Sequence, residues 1–386
     1  MIQRSSDFNI RKFVVACMVP LFFMTGVLTA AGLPELIGQN NRIDASNLQL
    51  DVIGDNPDLP LVVILATGGT IAAEGDPGAL TGYSAGEVEG VELVAGVPSI
   101  LDHANVAVVQ VANVGSSRIG QTELFALADY ANILLKQSDP DVAGVVVTHG
   151  TFTIEETMWF MHLTVDTNKP IVGVGAQRPP TALSPDGPLN LLNAVRVAAY
   201  DGARGMGAFI VMNDEINAAR DVTKSNAFRV SAFRSGELGY LGYVDADKVV
   251  FNRAPINKRH TFSSEFDVSR VASLPRVGII YSHQEASAAA LDGLIAAGYD
   301  GVVIHGHGTG GFSPVLRGRV REVGDQITIV RTAQTMHSRI QDSQGYRNDA
   351  VVSGEDLAPL KARILLQLAL TRTNEFEELR RIFQEY

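Results

Sequence analysis

Short runs of β-branched and aliphatic residues alternate along most of this chain with longer segments in which apolar residues recur at helical spacing. In the first half the short runs are residues 61–66, 106–111, 142–148, 170–176 and 208–213. The longer segments between them are residues 122–137, 153–165 and 189–200. Strands that alternate with helices predict a mostly parallel sheet with helices on both faces. Ligands bind such sheets beyond the C-terminal ends of the strands, so a site is expected in the loops that follow the apolar runs.

After about residue 250 the pattern stops and then resumes. Residues 256–275 are polar and irregular, which predicts an interdomain linker. A second series follows, with apolar runs at 277–282, 301–306 and 327–332, a helical segment at 286–298 and a terminal helix from about residue 355. We therefore predict an α/β protein with a larger N-terminal parallel-sheet domain, 59–255, that carries catalysis, and a smaller C-terminal α/β domain, 276–386.

The first 31 residues have the pattern of a secretory signal peptide. Arg4, Arg11 and Lys12 form a basic start, an apolar stretch interrupted by Pro20 follows, and small residues around Ala30 offer a cleavage site. The alternative is a membrane anchor, which the short, proline-broken apolar core disfavours. We predict that residues 1–31 are removed on export, that residues 32–58 form a leader or linker, and that the protein is periplasmic or secreted.

Charge and cysteine content exclude several classes of function. The formal net charge is −11, which argues against binding to nucleic acid or to an anionic membrane, because both require basic patches. The only cysteine, Cys17, lies in the predicted signal peptide. The mature chain would therefore have no disulfide, no thiol nucleophile and no cysteine–metal site.

The first candidate motif, ATGGTIA, directly follows the first apolar run and contains Thr67 and Thr70. Its two glycines allow backbone N–H groups to approach a ligand, although a tight turn explains them equally well. A phosphate site is disfavoured because neither GxGxxG nor GxxxxGK[ST] is present. Tyr83 lies downstream in LTGYSAG, a loop that could close over a site and bring a phenol to a threonine.

Three further motifs also follow apolar runs. THGTFTIEET contains Thr151 and Phe152, and its Thr153 and Glu156 fit a capping box that would start a helix beside Thr151. NVGSS offers Ser116 and Ser117 for hydrogen bonds to a carboxylate. DVTK offers Lys224, which becomes a general base only if it is desolvated; a solvated loop lysine is the commoner case. Phe152 is unexpected, because a reactive hydroxyl usually has a charged neighbour.

Taken together and in order, these motifs resemble the bacterial L-asparaginase (asparaginase/glutaminase) family, in particular its exported type II members. The similarity is carried by ATGGTIA, NVGS, THGT.TIEET, GAQRPPTALSPDGPLNLLNA and MND...ARDVTKSNAF, and extends from about residue 60 to the C-terminus.

The resemblance implies a site built mainly from hydroxyl groups, without cofactor or metal. It implies that Thr70 is the nucleophile with Tyr83 as its helper, and that Thr151 and Lys224 relay protons together with an aspartate. It implies that Ser116 binds the α-carboxylate of a small amide substrate. It further implies a homotetramer in which each active site includes residues of a neighbouring subunit.

The chain departs from the family pattern at four positions. Phe152 stands where the family has the aspartate, and Ser117 stands where glutamine is usual. Thr309 falls at the partner-subunit asparagine, and Asp342 falls near the partner-subunit glutamate. Because phenylalanine cannot pair with a substrate ammonium, three interpretations remain open. Asparagine is hydrolysed slowly, or the substrate is an amide without a free α-amino group that packs on Phe152, or the protein binds a ligand without turnover.

Two other readings are weaker. His305 and His307 stand two residues apart at a strand exit, but no further ligand has convincing spacing for a metal site. We expect both histidines to line a domain or subunit interface instead. Phe152 could also serve as a hydrophobic staple before Thr153, although its partner would be Thr157, which is a poor one.

Overall fold

A computed structural model of the protein describes residue 43 and residues 48–335 and 339–386. The predicted signal peptide, 1–31, lies outside the described residues. Within those residues, no helix is long and apolar enough to cross a membrane.

The described part of the chain contains fifteen strands and nine α-helices. The strands are β1 Val52–Ile53, β2 Leu61–Gly68, β3 Asn105–Val114, β4 Val142–Thr148, β5 Ile171–Val174, β6 Ala208–Met212, β7 Glu215–Ala218, β8 Thr223–Lys224, β9 Phe233–Arg234, β10 Gly242–Val244, β11 Val249–Phe251, β12 Val277–Tyr281, β13 Gly301–Gly306, β14 Thr328–Ala333 and β15 Val351–Ser353. The helices are α1 Gly90–Ala95, α2 Gln121–Lys136, α3 Ile154–Thr164, α4 Gly187–Ala198, α5 Ala289–Ala296, α6 Pro314–Val323, α7 Gln344–Arg347, α8 Pro359–Leu370 and α9 Phe376–Glu385.

The first sheet has nine strands in the order β1-β3-β2-β4-β5-β6-β7-β10-β11. Strands β3, β2, β4, β5 and β6 are parallel to their neighbours in that central block, as the sequence predicts. Strands β1, β7, β10 and β11 are added antiparallel at the margins. The sequence did not predict these four, because segments of two to four residues carry no readable periodicity.

Helices cover both faces of this sheet. Every residue of β2 is buried, which explains why its sequence is a continuous apolar run rather than an alternating one. Phe125 of α2 and Trp159 of α3 belong to the core on one face. Val94 of α1 and Leu191 of α4 belong to the core on the other face.

The second sheet is smaller and entirely parallel, in the order β12-β13-β14-β15. The predicted fold class, a larger N-terminal sheet domain with a smaller C-terminal α/β domain, is confirmed. One apolar core is continuous across both parts, and the indole N–H of Trp159 donates to the carbonyl of Lys361 at 3.0 Å. Phe266 and Val268 of the expected linker are buried in this same core, so the segment is packed rather than a plain connection. The domain boundaries remain predictions.

Two further details differ from the sequence analysis. The expected single terminal helix is two helices, α8 and α9, since the polar residues 371–375 between them favour helix ends over helix interiors. The predicted leader or linker contributes the edge strand β1, which pairs with β3 through Val52 and Ile53.

Candidate active site

The first hydroxyl pair of the site consists of Thr70 and Tyr83. Thr70 follows the end of β2 and is buried, while Tyr83 lies thirteen residues later in the loop that returns past it. Their hydroxyl oxygens are 3.1 Å apart. The loop is closed at its base, where Glu74 and Ser84 exchange backbone hydrogen bonds of 3.1 and 2.8 Å. A phenol is thus held beside a buried threonine by short-range chain geometry.

The two glycines before Thr70 permit close backbone contacts. Gly68 and Gly69 have φ angles of 97° and 86°, where other residues are strained. A Cβ atom on Gly68 would lie 2.6 Å from the nitrogen of Val114. The N–H of Gly69 donates to the carbonyl of Val114 at 3.0 Å. The idea that both glycine N–H groups point at a ligand is therefore wrong for Gly69; these glycines let neighbouring loops pack together.

The second pair consists of Thr151, just beyond β4, and Lys224, which ends β8. The Nζ of Lys224 donates to Oγ1 of Thr151 at 2.7 Å, across 73 residues of sequence. Thr151 is only 4% exposed. In such an arrangement, a neutral lysine amine can accept the proton of the threonine hydroxyl.

The loops that follow β2, β3 and β4 meet at one edge of the sheet. A Cβ atom on Gly69 would lie 2.3 Å from the Cα of Gly150. A Cβ atom on Gly150 would lie 2.7 Å from Oγ of Ser116, which is itself buried. The structure therefore brings Thr70, Ser116 and Thr151 into adjacent loops at the C-terminal ends of three neighbouring strands, where ligands bind in such sheets.

Lys224 lies in an environment that disfavours its charge. Burial lowers the pKa of Lys224, and the nearby carboxylate of Glu155 opposes that shift. The Phe152 ring centroid is 5.2 Å from Nζ, close enough for a cation–π contact. A lysine with a lowered pKa is better suited to act as a base near neutral pH.

His149 fixes the turn between β4 and Thr151. The residue is fully buried, its Nδ1 lies 2.8 Å from the carbonyl of Gly150, and its Nε2 lies 2.9 Å from Oγ1 of Thr157. Burial lowers the pKa of His149 to about 4, so the ring is neutral at physiological pH. A neutral ring can donate from Nδ1 and accept at Nε2, which satisfies both contacts.

Comparisons with known proteins identify the family of the chain. Residues 61–257 match the family model "Asparaginase, N-terminal", and residues 276–383 match "Glutaminase/Asparaginase C-terminal domain". The chain belongs to the asparaginase family.

Curated relatives and solved structures cover most of the chain. It is 42% identical to "L-asparaginase 2" of Bacillus subtilis (strain 168), across 86% of this chain and 88% of that protein. It is 42% identical to "Glutaminase-asparaginase" of Pseudomonas fluorescens biotype A, across 84% and 90%. A solved structure, described as a probable cytoplasmic L-asparaginase from Campylobacter jejuni, superposes with a TM-score of 0.80 at 38% identity, across 85% of this chain and 100% of that one.

One expectation about the start of α3 is wrong, and the disfavoured staple interpretation is excluded as well. Thr153 makes no side-chain cap; its hydroxyl donates instead to the carbonyl of Ser116 at 2.9 Å. Glu156 pairs with Arg363 of α8 at 3.2 Å, so the capping box is absent. Phe152 is 74% exposed, so it does not act as a hydrophobic staple. Thr153 and Glu156 instead contact residues that are distant in the sequence, which local spacing does not show.

In the described part of the chain, three other predicted binding residues make no hydrogen bond to the two hydroxyl pairs. Ser117 is exposed. Thr309 is also exposed, and its carbonyl accepts from Nη1 of Arg331 at 3.1 Å. Asp342 pairs with Arg380 at 2.6 Å and lies 3.8 Å from Arg347. Since its carboxylate is paired within its own chain, the substrate-binding role of Asp342 stays a prediction without structural support.

His305 lines a cavity of about 670 Å³ that is also lined by Glu155 of α3, Lys224 of β8 and residues of β12 and β14, so it lies where the N-terminal and C-terminal parts meet, as expected. Its Nδ1 lies 3.3 Å from Oγ1 of Thr332, and the Tyr281 ring meets it edge-on at 4.9 Å between centroids. His307 is exposed and pairs through its backbone with Gly311. Among the described residues, no group of three or more His, Cys, Asp or Glu side chains is arranged to hold a metal ion.

Residues of the C-terminal part, which sequence reasoning missed, hold the segment that leads to Lys224. The buried Nζ of Lys361 donates to the backbone carbonyls of Ala219, Arg220 and Val222. Arg220 in turn pairs with Asp356 at 2.7 Å and donates to the carbonyl of Tyr386 at 3.0 Å. Burial lowers the pKa of Lys361 to about 8. Lys361 and Arg220 are 141 positions apart in the sequence, so no local motif reveals their contact.

Proposed function

We propose that this asparaginase-family protein is an amidohydrolase that releases ammonia from the side-chain amide of L-asparagine, with glutamine as a second substrate. The observation that carries the proposal is the pairing of Thr70 with Tyr83 and of Thr151 with Lys224 in adjacent loops. Activated hydroxyls with a nearby amine are the groups that acyl transfer requires. The names of the relatives, L-asparaginase and glutaminase-asparaginase, support the same substrates.

In the proposed reaction, Oγ1 of Thr70 attacks the amide carbon and forms an acyl-enzyme ester. The Tyr83 hydroxyl orients Thr70, and Thr151 with neutral Lys224 takes up the released proton. The carbon–nitrogen bond breaks, and the nitrogen leaves as ammonia after gaining a proton from the same relay. Water then cleaves the ester, which yields the acid and restores Thr70. All groups come from the chain, so neither a metal nor an organic cofactor is required.

We further propose a homotetramer in which neighbouring subunits complete the site. Phe152 is 74% and Phe228 is 77% exposed, and both lie at the Lys224 segment. Large apolar side chains exposed beside a site suggest that another surface covers them. Sedimentation velocity tests this point, with a tetramer as the expected species and a monomer as the contradicting one.

Export remains part of the proposal. The predicted signal peptide supports it, as does a relative described as "Probable L-asparaginase periplasmic" from Haemophilus influenzae. The structural relative is titled cytoplasmic, so the family spans both compartments. Cell fractionation should recover a chain shortened at its N-terminus outside the cytoplasm; a full-length cytoplasmic chain would contradict export.

Phe152 favours a second candidate, an amide without a free α-amino group. Its ring lies where the family resemblance implies a carboxylate, and it provides an apolar surface instead of a partner for an ammonium. Succinamate, which is asparagine without the α-amino group, would then be preferred over asparagine.

A substrate panel separates these candidates. Ammonia release is measured on asparagine, glutamine and succinamate for the parent and for Phe152→Asp. If asparagine is the substrate, the parent turns it over faster than succinamate, and the variant gains a further advantage with asparagine. A preference of the parent for succinamate that Phe152→Asp reverses establishes the second candidate. Thermal stabilisation by these amides with no ammonia release would indicate a non-catalytic binder and overturn both.

A further inference from the structure

Glu155, in the first turn of α3, is a buried carboxylate whose role none of the motifs explains. It is 6% exposed and lines the same cavity of about 670 Å³ as Lys224. It also shares with Lys224 and Phe152 a second, more open depression. Within the described residues, the side chain of Glu155 forms no hydrogen bond and no ion pair. Its oxygens are not among the enclosed, unpaired polar atoms of the described residues, so the carboxylate opens on the cavity, where a nearby positive charge stabilises it.

The charge of Glu155 acts on two lysines, Lys224 and Lys361, which differ in how many ammonium N–H donors are still free. Lys361 already donates to three backbone carbonyls, so its ammonium has no proton left for a carboxylate. Lys224 donates to Thr151, and two of its three possible donors remain. Lys361 therefore has no N–H donor left for Glu155, whereas Lys224 has two.

Most other charged side chains around this cavity form ion pairs with residues other than Glu155 and Lys224. Glu156, the neighbour of Glu155 on α3, pairs with Arg363. The remaining charged or titratable side chains that line the cavity are Arg220, Asp221, Glu237, Tyr281, His305, Arg339 and Asp356. Of these, Arg220 pairs with Asp221 and Asp356, and Arg339 pairs with Glu355. Glu237 is exposed, which leaves Glu155 as the buried carboxylate open to Lys224.

We propose that Glu155 is a positioning residue, which holds Lys224 against Thr151 from the cavity side and supplies the negative charge that Phe152 cannot. The first turn of a helix favours a negative charge, which suits a carboxylate at this position. Its effect on catalysis rests on the proposed amidohydrolase function. Its effect on the charge of Lys224 does not, so the two can be tested separately.

The first test measures Lys224 without turnover. The pH dependence of its reductive methylation is followed by peptide mass spectrometry in the parent, Glu155→Gln, Glu155→Asp and the control Glu156→Gln. Loss of one nearby negative charge should lower the midpoint for Lys224 by about half to one pH unit in Glu155→Gln. Glu155→Asp should restore part of the shift, and Glu156→Gln should leave the midpoint unchanged. The melting temperature of each variant is measured to exclude unfolding. If Glu155→Gln is unstable, the midpoint is compared between the parent and Glu155→Asp instead.

The second test measures turnover in the same variants. The rise of kcat with pH should move downward in Glu155→Gln by the same interval as the methylation midpoint, kcat at its plateau should fall about tenfold, and KM should change little. An unshifted methylation midpoint, or an equal shift in Glu156→Gln, overturns the inference. A shifted midpoint in a protein whose parent releases no ammonia from any amide overturns the proposed function but leaves the inferred effect of Glu155 on the charge of Lys224 in place.

Discussion

The two hydroxyl pairs of the site are held in different ways. Thr70 and Tyr83 are uncharged, stand thirteen residues apart and are brought together by one locally closed loop. Thr151 and Lys224 stand 73 residues apart, include a charge, and depend on a segment held from the C-terminal part by Lys361. The difference shows that one edge of the sheet carries both a hydroxyl pair that is built locally and a hydroxyl–amine pair that depends on residues distant in the sequence.

The largest effect expected within this comparison is on turnover. Lys224→Met should lower kcat by about 10²–10⁴-fold, because it removes a proton carrier. Tyr83→Phe should lower kcat by only about tenfold, because it removes one neutral hydrogen bond. Steady-state ammonia release on asparagine measures both. Equal losses in the two variants would show that the two pairs do not divide orientation and proton transfer as proposed.

The second largest effect is expected on the stability of the fold around the Thr151–Lys224 pair. Lys361→Met leaves three buried carbonyls without their donor, which should lower the free energy of unfolding by about 3–5 kcal/mol. Lys258→Met is the matched control, because the Nζ of Lys258 donates to a single carbonyl, that of Gln384. Denaturant unfolding measures the difference. A loss no greater than that of Lys258→Met would show that Lys361 does not anchor the Lys224 segment.

The pH dependence of stability offers a smaller test, centred on the turn before Thr151. The pKa of His149 is about 4 in the folded chain and about 6.5 in the unfolded chain. Between these values the unfolded state binds more protons, so stability falls as pH falls from about 6.5 towards 4, by up to about 3 kcal/mol from this residue. His162 and His260, whose pKa values are also lowered by burial, act in the same direction.

Unfolding measured at pH 7 and pH 5 in the parent and in His149→Gln tests this expectation. The variant should lose less stability between the two pH values than the parent does, because glutamine does not titrate. An identical loss in both proteins would mean that His149 is not kept neutral by folding.

The order of elements was predictable because long apolar runs carry strong signals. The strands β2, β4 and β13 and the helices α2 and α3 all fall where the sequence places them. Thr70, Thr151 and Lys224 could be proposed from the sequence because they lie in recognisable motifs after strands, and their roles remain predictions. The short marginal strands such as β7 were missed, since four residues show no periodicity.

The missed parts of the site are those set by long-range contacts. Thr153 fits a capping pattern, yet its hydroxyl donates a hydrogen bond to the carbonyl of Ser116. Glu155 is one of several polar residues at the start of α3, and local spacing does not show that it is buried and lines the same cavity as Lys224. Lys361 lies 137 positions after Lys224 in the numbering, so its hold on the preceding segment appears only in three dimensions.

The most direct measurement is ammonia release from L-asparagine by the purified chain, beside Thr70→Ala. Both proteins are first shown to have the same melting temperature and the same far-ultraviolet circular dichroism. The parent should release ammonia, and Thr70→Ala should fall to the uncatalysed rate, because the hydroxyl that forms the acyl-enzyme is gone. If Thr70→Ala keeps the rate of the parent, the reaction uses another nucleophile, and the division of roles between the two pairs is wrong.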